Sequence, residues 1–133
     1  MSRIFSVVFS LMLSISLLSC KDATAQEGAK NLSPEAFSKA ITGNSVLLID
    51  VRTPEEFQSG HIPKAQNINF FDDDFQSSLS RLDTTQAVYI YCRSGHRSGQ
   101  SVANFKKAGF SKIYNLDGGI LNWESKDFKT TSP

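Results

Sequence analysis

Two cysteines, two histidines and a single tryptophan are all that the 133 residues contain of those types, and each scarcity excludes something. His61 and His96 stand far apart and the domain carries a single cysteine, Cys92, so no set of metal ligands is expected and no cofactor is called for. Two cysteines, one of them just after the N-terminal apolar run, offer no disulfide framework. Charge of one sign is also missing: 14 Lys and Arg face 13 Asp and Glu, a formal net charge of +1, which provides no bulk field to attract nucleic acid or an anionic membrane surface. The apolar run Ile4–Leu18 is too short and too abruptly ended to serve as a comfortable spanning helix. With 40% hydrophobic residues the chain has room for one compact core and no second domain.

What is present begins with an export pattern. Arg3 is the only charge in residues 1–19, and the serine-interrupted apolar run follows it, as in a signal peptide. Two processing sites compete. Leu17–Cys20, LLSC, resembles the lipobox of bacterial lipoproteins, which places a lipid on Cys20. Ala23–Ala25, ATA, matches ordinary small-x-small cleavage before Gln26. The first is favoured because it lies directly at the end of the apolar run. The expected organisation is a signal peptide over 1–19, a small polar tether over 20–30, a domain over 31–128 and a tail over 129–133. The protein is then periplasmic or held at an outer membrane through a lipid anchor, or soluble in the periplasm if cut before Gln26. Without Arg3 the remaining charges balance, and Cys92 has no cysteine partner. An unpaired thiol in an oxidising compartment calls for an explanation.

Short apolar runs alternate with helical patterns along the domain. NLSPEAFSKAI has Ser33 as N-cap and Pro34 at the first helical position. SVLLIDV is a continuous apolar run ending in Asp50, as for a strand buried on both faces. TPEEFQSG reads as a helix from Thr53 and Pro54 that stops at Gly60. AQNINF reads as a brief strand, and DDDFQSSLSRL as a helix with acids in its first turn and Arg81 in its last. AVYIY is the second strong strand. SGQSVANFKKAGF is a helix with Val102, Phe105 and Ala108 on one stripe and Gly109 as its stop. KIYNL and GGILNWESKDF complete the pattern as strand and helix. The fold class expected is α/β, with a parallel central sheet and helices on both faces.

That frame puts YCRSGHRSG at the carboxyl end of a strand and the start of a helix, the edge where open α/β sheets bind ligands. A loop entering a helix presents backbone N–H groups without intrahelical acceptors, and the helix dipole adds positive potential, so the concavity favours an anion. Cys92 opens the loop and Gly95 lets the backbone turn inward. Arg93 and Arg97 add positive charge. These features favour thiolate over thiol, so the loop reads as an activated nucleophile in an anion cradle.

Phosphate transfer through a cysteinyl phosphate and sulfur transfer through a persulfide both use such a cradle, and loop length separates them. The spacing from Cys92 to Arg97 is C-x4-R, one residue shorter than the C-x5-R loop of cysteine phosphatases. CRSGHRS resembles the active-site loop of rhodanese-like sulfurtransferases. Leu48–Ile68, LIDVRTPEEFQSGHIPKAQNI, resembles that family's D-x-R and G-H-I-P segment, and Leu116–Trp123, LDGGILNW, its closing G-G-x-x-x-W motif.

The resemblance implies a rhodanese-like fold and a Cys92 that takes sulfane sulfur from a small anionic donor and passes it to a thiol or cyanide-like acceptor. It implies that Arg93, Ser94, Gly95, His96 and Arg97 form the persulfide cradle, with Ser98 starting the helix. It also implies that Arg52 braces the loop region and Asp50 ends its strand, although simple ion pairing accounts for both equally well. His61 reads as a helix-end residue satisfying local backbone groups. His96 lies in the loop and is placed to tune charge or recognise a donor. Lys64 stands where the family commonly has glycine, which suggests a different turn. Thiosulfate, polysulfide and a low-molecular-weight persulfide all fit as donors. A non-catalytic sulfur carrier or partner-binding module is the alternative, with a phosphatase or arsenate reductase behind it.

Overall fold

The computed structural model describes residues 28–43 and 45–133. The expectations that concern residues 1–27, including export and the lipidation of Cys20, fall outside the described residues.

The elements follow in the order β1 (Ala29–Leu32), α1 (Pro34–Ile41), β2 (Leu47–Asp50), α2 (Pro54–Ser59), β3 (Gln66–Asn67), α3 (Phe75–Leu79), β4 (Val88–Tyr91), α4 (His96–Ala108), β5 (Ile113–Leu116) and α5 (Gly119–Ser125). The strands form one five-stranded sheet in the order β1-β5-β4-β2-β3, and every pairing is parallel. Successive side chains of a strand point to opposite faces, so the apolar runs supply both layers at once. Leu47, Ile49 and Val51 join Val88, Ile90 and Cys92 beneath Phe75 and Leu79 of α3 and Val102 and Phe105 of α4. On the other face Leu48, Tyr91 and Leu116 pack with Phe37 of α1 and Ile120 and Trp123 of α5. Phe37 and Phe105 are wholly buried, each contributing roughly 1.5–3 kcal/mol of apolar burial. The α/β architecture with helices on both faces is as expected from the sequence.

Local chemistry sets the element ends. The Ser33 hydroxyl accepts the Ala36 N–H at 3.2 Å at the start of α1, and Thr53 with Glu56 forms a reciprocal capping box at the start of α2. Gly109 ends α4 in the left-handed conformation.

Four details differ from the sequence expectation. First, β1 begins at Ala29, inside the stretch read as tether, and pairs Ala29 to Leu32 with Ile113 to Leu116. A partner strand supplies the order that this polar, small-residue segment lacks by itself. Second, α3 starts only after Asp74, and neither the acids nor Arg81 falls inside it. Asp72 instead closes a turn with Asn69, whose side-chain amide donates to it at 2.8 Å. Third, α4 starts at His96 and not Ser98, because the Gly95 carbonyl already accepts the Gly99 N–H at 3.0 Å. Fourth, Lys64 adopts φ +70°, so the backbone keeps a glycine-type turn although the side chain is not glycine. At the C-terminus, Thr131 and His61 exchange two backbone hydrogen bonds of 2.8 Å.

Candidate active site

The parallel register brings three separated sequence segments to one edge of the sheet. Asp50 pairs with Tyr91 across β2 and β4, and β5 flanks β4 on its other side. The carboxyl ends of these strands therefore deliver Asp50 to Glu56, the Cys92 loop and Gly118 to Gly119 to a common place. This is where a doubly wound sheet opens a crevice.

Cys92 continues the inward alternation of Val88 and Ile90, so its side chain lies on the α4 face and is fully buried. The Sγ accepts the Gly95 N–H at 3.1 Å and the Ser98 hydroxyl at 3.4 Å. Burial pushes the thiol up, but the Ser98 hydroxyl and the backbone N–H groups of Ser98, Ser94 and Gly95 outweigh it, and the net position is below the ordinary value. Gly95 makes this ring possible with φ +96°, a conformation that L side chains rarely adopt. Hydrogen bonds rather than the arginine charges lead the stabilisation of the thiolate.

The loop's carbonyls must point away from the sulfur for its N–H groups to face it, and α5 accepts that task. The Ile120 N–H donates to the Cys92 carbonyl at 2.9 Å, and the Leu121 N–H to the Arg93 carbonyl at 3.2 Å. These helix-start donors have no intrahelical acceptor, so both sides of each bond are satisfied by the contact. The approach is so close that a β-carbon on Gly119 would meet the Arg93 carbonyl atoms at 2.5 Å. Gly119 thus has a physical purpose in the backing of the loop, whereas a β-carbon on Gly118 would meet the Asn122 side chain at 2.6 Å.

Arg97 and Arg93 part company. The Arg97 guanidinium forms two 2.7 Å bonds with the two carboxylate oxygens of Glu56 and lies 5.6 Å from the centre of the Phe71 ring. The Arg97 hydrogen bond, followed by a smaller opposing effect of burial, holds the Glu56 carboxyl at about 2. Arg93, Ser94 and His96 are exposed, and no ion pair among the described residues involves Arg93.

Asp50 and Arg52 form a buried pair, with Nη2 of Arg52 2.7 Å from Oδ2 of Asp50 and side-chain exposures of 5% for Arg52 and 0% for Asp50. The same Nη2 donates to the Gly60 carbonyl at 2.7 Å. Burial opposes the guanidinium charge, yet the Asp50 hydrogen bond and charge keep Arg52 above its ordinary value. Its carbon centre lies 5.7 Å from the Tyr91 ring, and the Tyr91 hydroxyl, kept protonated by burial, accepts the Ile62 N–H at 3.0 Å. This set braces the Gly60–Ile62 turn and does not touch the sulfur. His61 stacks on Phe57 at 3.7 Å and places Nδ1 2.9 Å from the Phe57 carbonyl, a local helix-end arrangement.

Sequence reasoning missed Glu56 and Gly119. The T-x-x-E spacing was a readable signal for a capping glutamate, but its reach to Arg97 depends on tertiary structure. The paired glycines were visible only as part of a motif.

The family model described as Rhodanese-like domain matches residues 33–126. The chain belongs to the rhodanese-like domain family. Among its relatives, an uncharacterized Bacillus subtilis protein, YqhL, is 37% identical over 97 residues, which is 73% of this chain and 74% of that protein. A sulfurtransferase of Allochromatium vinosum is 36% identical over 88 residues, 66% of this chain and 80% of that protein. Among solved structures, a rhodanese-related protein from Thermoplasma volcanium superposes with a TM-score of 0.68 at 22% identity, covering 77% of this chain and 97% of that one, and shares the fold.

Proposed function

We propose that the protein is a sulfurtransferase that works through a persulfide on Cys92. The observation that carries this reading is the sulfur itself, which accepts hydrogen bonds from Gly95 and Ser98 inside a loop with its amides turned inward. Such a cradle stabilises a thiolate before transfer and an anionic persulfide after it. With thiosulfate as donor, the Cys92 thiolate attacks the outer sulfur, a new S–S bond forms, the old one breaks, and sulfite leaves with the electron pair. An acceptor such as cyanide or a thiolate then attacks the terminal sulfur of the persulfide, and Cys92 leaves as thiolate. The C-x4-R spacing and the relatedness to a sulfurtransferase support sulfur over phosphate chemistry.

The proposal includes an exported site of action, resting on the apolar run Ile4–Leu18 and the LLSC sequence at Cys20. A lipid on Cys20 then holds the domain at a membrane.

Intact mass spectrometry tests the chemistry. The protein should gain one sulfur atom on incubation with thiosulfate or polysulfide and lose it to cyanide, while the Cys92→Ser variant gains none. Absence of any gain in the wild type refutes sulfur transfer, whereas loading without turnover to any acceptor points to a carrier.

A further inference from the structure

The cations around the Cys92 loop are mostly committed. Three arginines lie at this edge of the sheet. Arg52 faces Asp50 at 2.7 Å. Arg97 faces Glu56 through two bonds of 2.7 Å, with its guanidinium also against Phe71. Only Arg93 lacks a carboxylate partner among the described ion pairs. The loop's inward N–H groups of Gly95 and Ser98 are already engaged by the cysteine sulfur.

This matters because the two classes of donor differ in charge. Attack on thiosulfate brings a thiolate against a dianion, and that encounter needs uncommitted positive charge close by. A protonated organic persulfide, R–S–SH, is a neutral electrophile at its reacting end. Its outer sulfur is attacked by the Cys92 thiolate, a new S–S bond forms, the S–S bond between the inner and outer sulfurs of the donor breaks, and the R–S⁻ thiolate leaves with the electron pair and no other co-reactant. The second reaction makes no demand on Arg97.

On the reading of Cys92 as the sulfur-accepting residue, we infer that Glu56 is a specificity-determining positioning residue, which withdraws Arg97 from the donor and adapts the site to low-charge organic persulfides rather than to the thiosulfate dianion. Glu56 holds this place from two directions. Its Oε2 accepts the Thr53 N–H at 3.0 Å and the Thr53 hydroxyl at 3.2 Å, which fixes it to the first turn of α2. From that anchored position both oxygens reach Arg97 across the sheet edge. The exposed Phe71 ring lies 5.6 Å from the same guanidinium, an added contact for Arg97 in its Glu56-bound position.

The chemistry of the cap supplies a clean variant. Glutamine serves at the third position of a capping box as well as glutamate does, so Glu56→Gln keeps the Thr53 contact while removing the charge that holds Arg97. The experiment measures the rate at which Cys92 gains sulfur, by intact mass, over a concentration series of thiosulfate and of 2-hydroxyethyl persulfide. Wild-type protein should load from the persulfide at lower concentration. In Glu56→Gln the ratio of thiosulfate loading to persulfide loading should rise about tenfold through a lower half-saturating thiosulfate concentration, with the gain shrinking at high salt. Thr53→Ala, which weakens the cap but leaves the Glu56 charge, should keep the wild-type ratio. A wild type that prefers thiosulfate, or a ratio that stays flat or falls in Glu56→Gln, overturns the inference. Failure of the wild type to load from either donor overturns instead the sulfurtransferase reading beneath it.

Discussion

Gly119 and Arg93 approach so closely that the space between them has no room for a methyl group: a β-carbon on Gly119 would sit 2.5 Å from the carbonyl carbon and oxygen of Arg93. Gly119 also has φ +62°. Substitution therefore meets two penalties, a left-handed backbone that costs a non-glycine residue about 1–2 kcal/mol and a contact with main-chain atoms that cannot rotate aside. Gly119→Ala should push the Cys92–Arg93 segment off α5, lengthen the Ile120 to Cys92 bond and turn the loop amides away from the sulfur. The expected outcome is a destabilisation of at least about 2 kcal/mol in urea unfolding, with persulfide formation depressed even at temperatures where the variant is folded.

Ser98, in the first turn of α4, is the residue whose loss should change the thiol without changing the fold. Its hydroxyl, buried and 3.4 Å from the sulfur, stands second only to burial among the influences on Cys92. A hydrogen bond donated to a thiolate favours the ionised form, so its removal favours the thiol. In Ser98→Ala the titration of Cys92 should move to higher pH, and the thiolate fraction at neutral pH should fall. Thiolate ultraviolet absorbance, taken as the difference from Cys92→Ser, checks the direction. An unchanged midpoint would assign the lowering to the backbone amides alone.

The sequence made the candidate cysteine easy to find and its supports hard to find. Cys92, its loop and the parallel α/β frame follow from apolar runs, turn residues and a single thiol at a strand end, all local signals. Ser33, Thr53 and Gly109 announced their caps for the same reason. What could not be read depends on contacts between distant segments. The Arg97 side chain looked like free charge until Glu56, far away in the chain, was placed opposite it. Ala29 and Lys30 looked like tether because their order comes from β5 and not from their own pattern. The start of α4 at His96 was hidden because a left-handed Gly95 N-cap carries no side-chain signal.

Asp50 and Arg52 act on stability, and their burial determines how much. Removing the guanidinium leaves a carboxylate with no exposure and without its forked partner, a change worth roughly 3–5 kcal/mol when a buried pair is broken on one side. It also strips the Gly60 carbonyl of its 2.7 Å donor. Arg52→Met should therefore unfold at markedly lower urea concentration. Arg52→Lys should recover only part of the loss, since a single ammonium cannot span Asp50 and Gly60 with the planar fork of arginine. Equal stability of the lysine variant and wild type would show that charge, and not the fork, is what the turn needs.

Lys64 presents the opposite case, a side chain where the backbone favours none. Its φ of +70° lies in the left-handed region, and the lysine is exposed, so its side chain gains little from packing. Glycine relieves a backbone cost of about 1–2 kcal/mol but adds freedom to the unfolded chain worth about 0.4–1 kcal/mol. The first effect is the larger, so Lys64→Gly should stabilise the protein by up to about 1 kcal/mol, read as a small rise in Tm. Because the turn joins Ile62, held by the Tyr91 hydroxyl, to the β3 strand, the rise should come without any change in the titration of Cys92. A fall in Tm would mean that the Lys64 side chain makes a contribution larger than the strain it imposes.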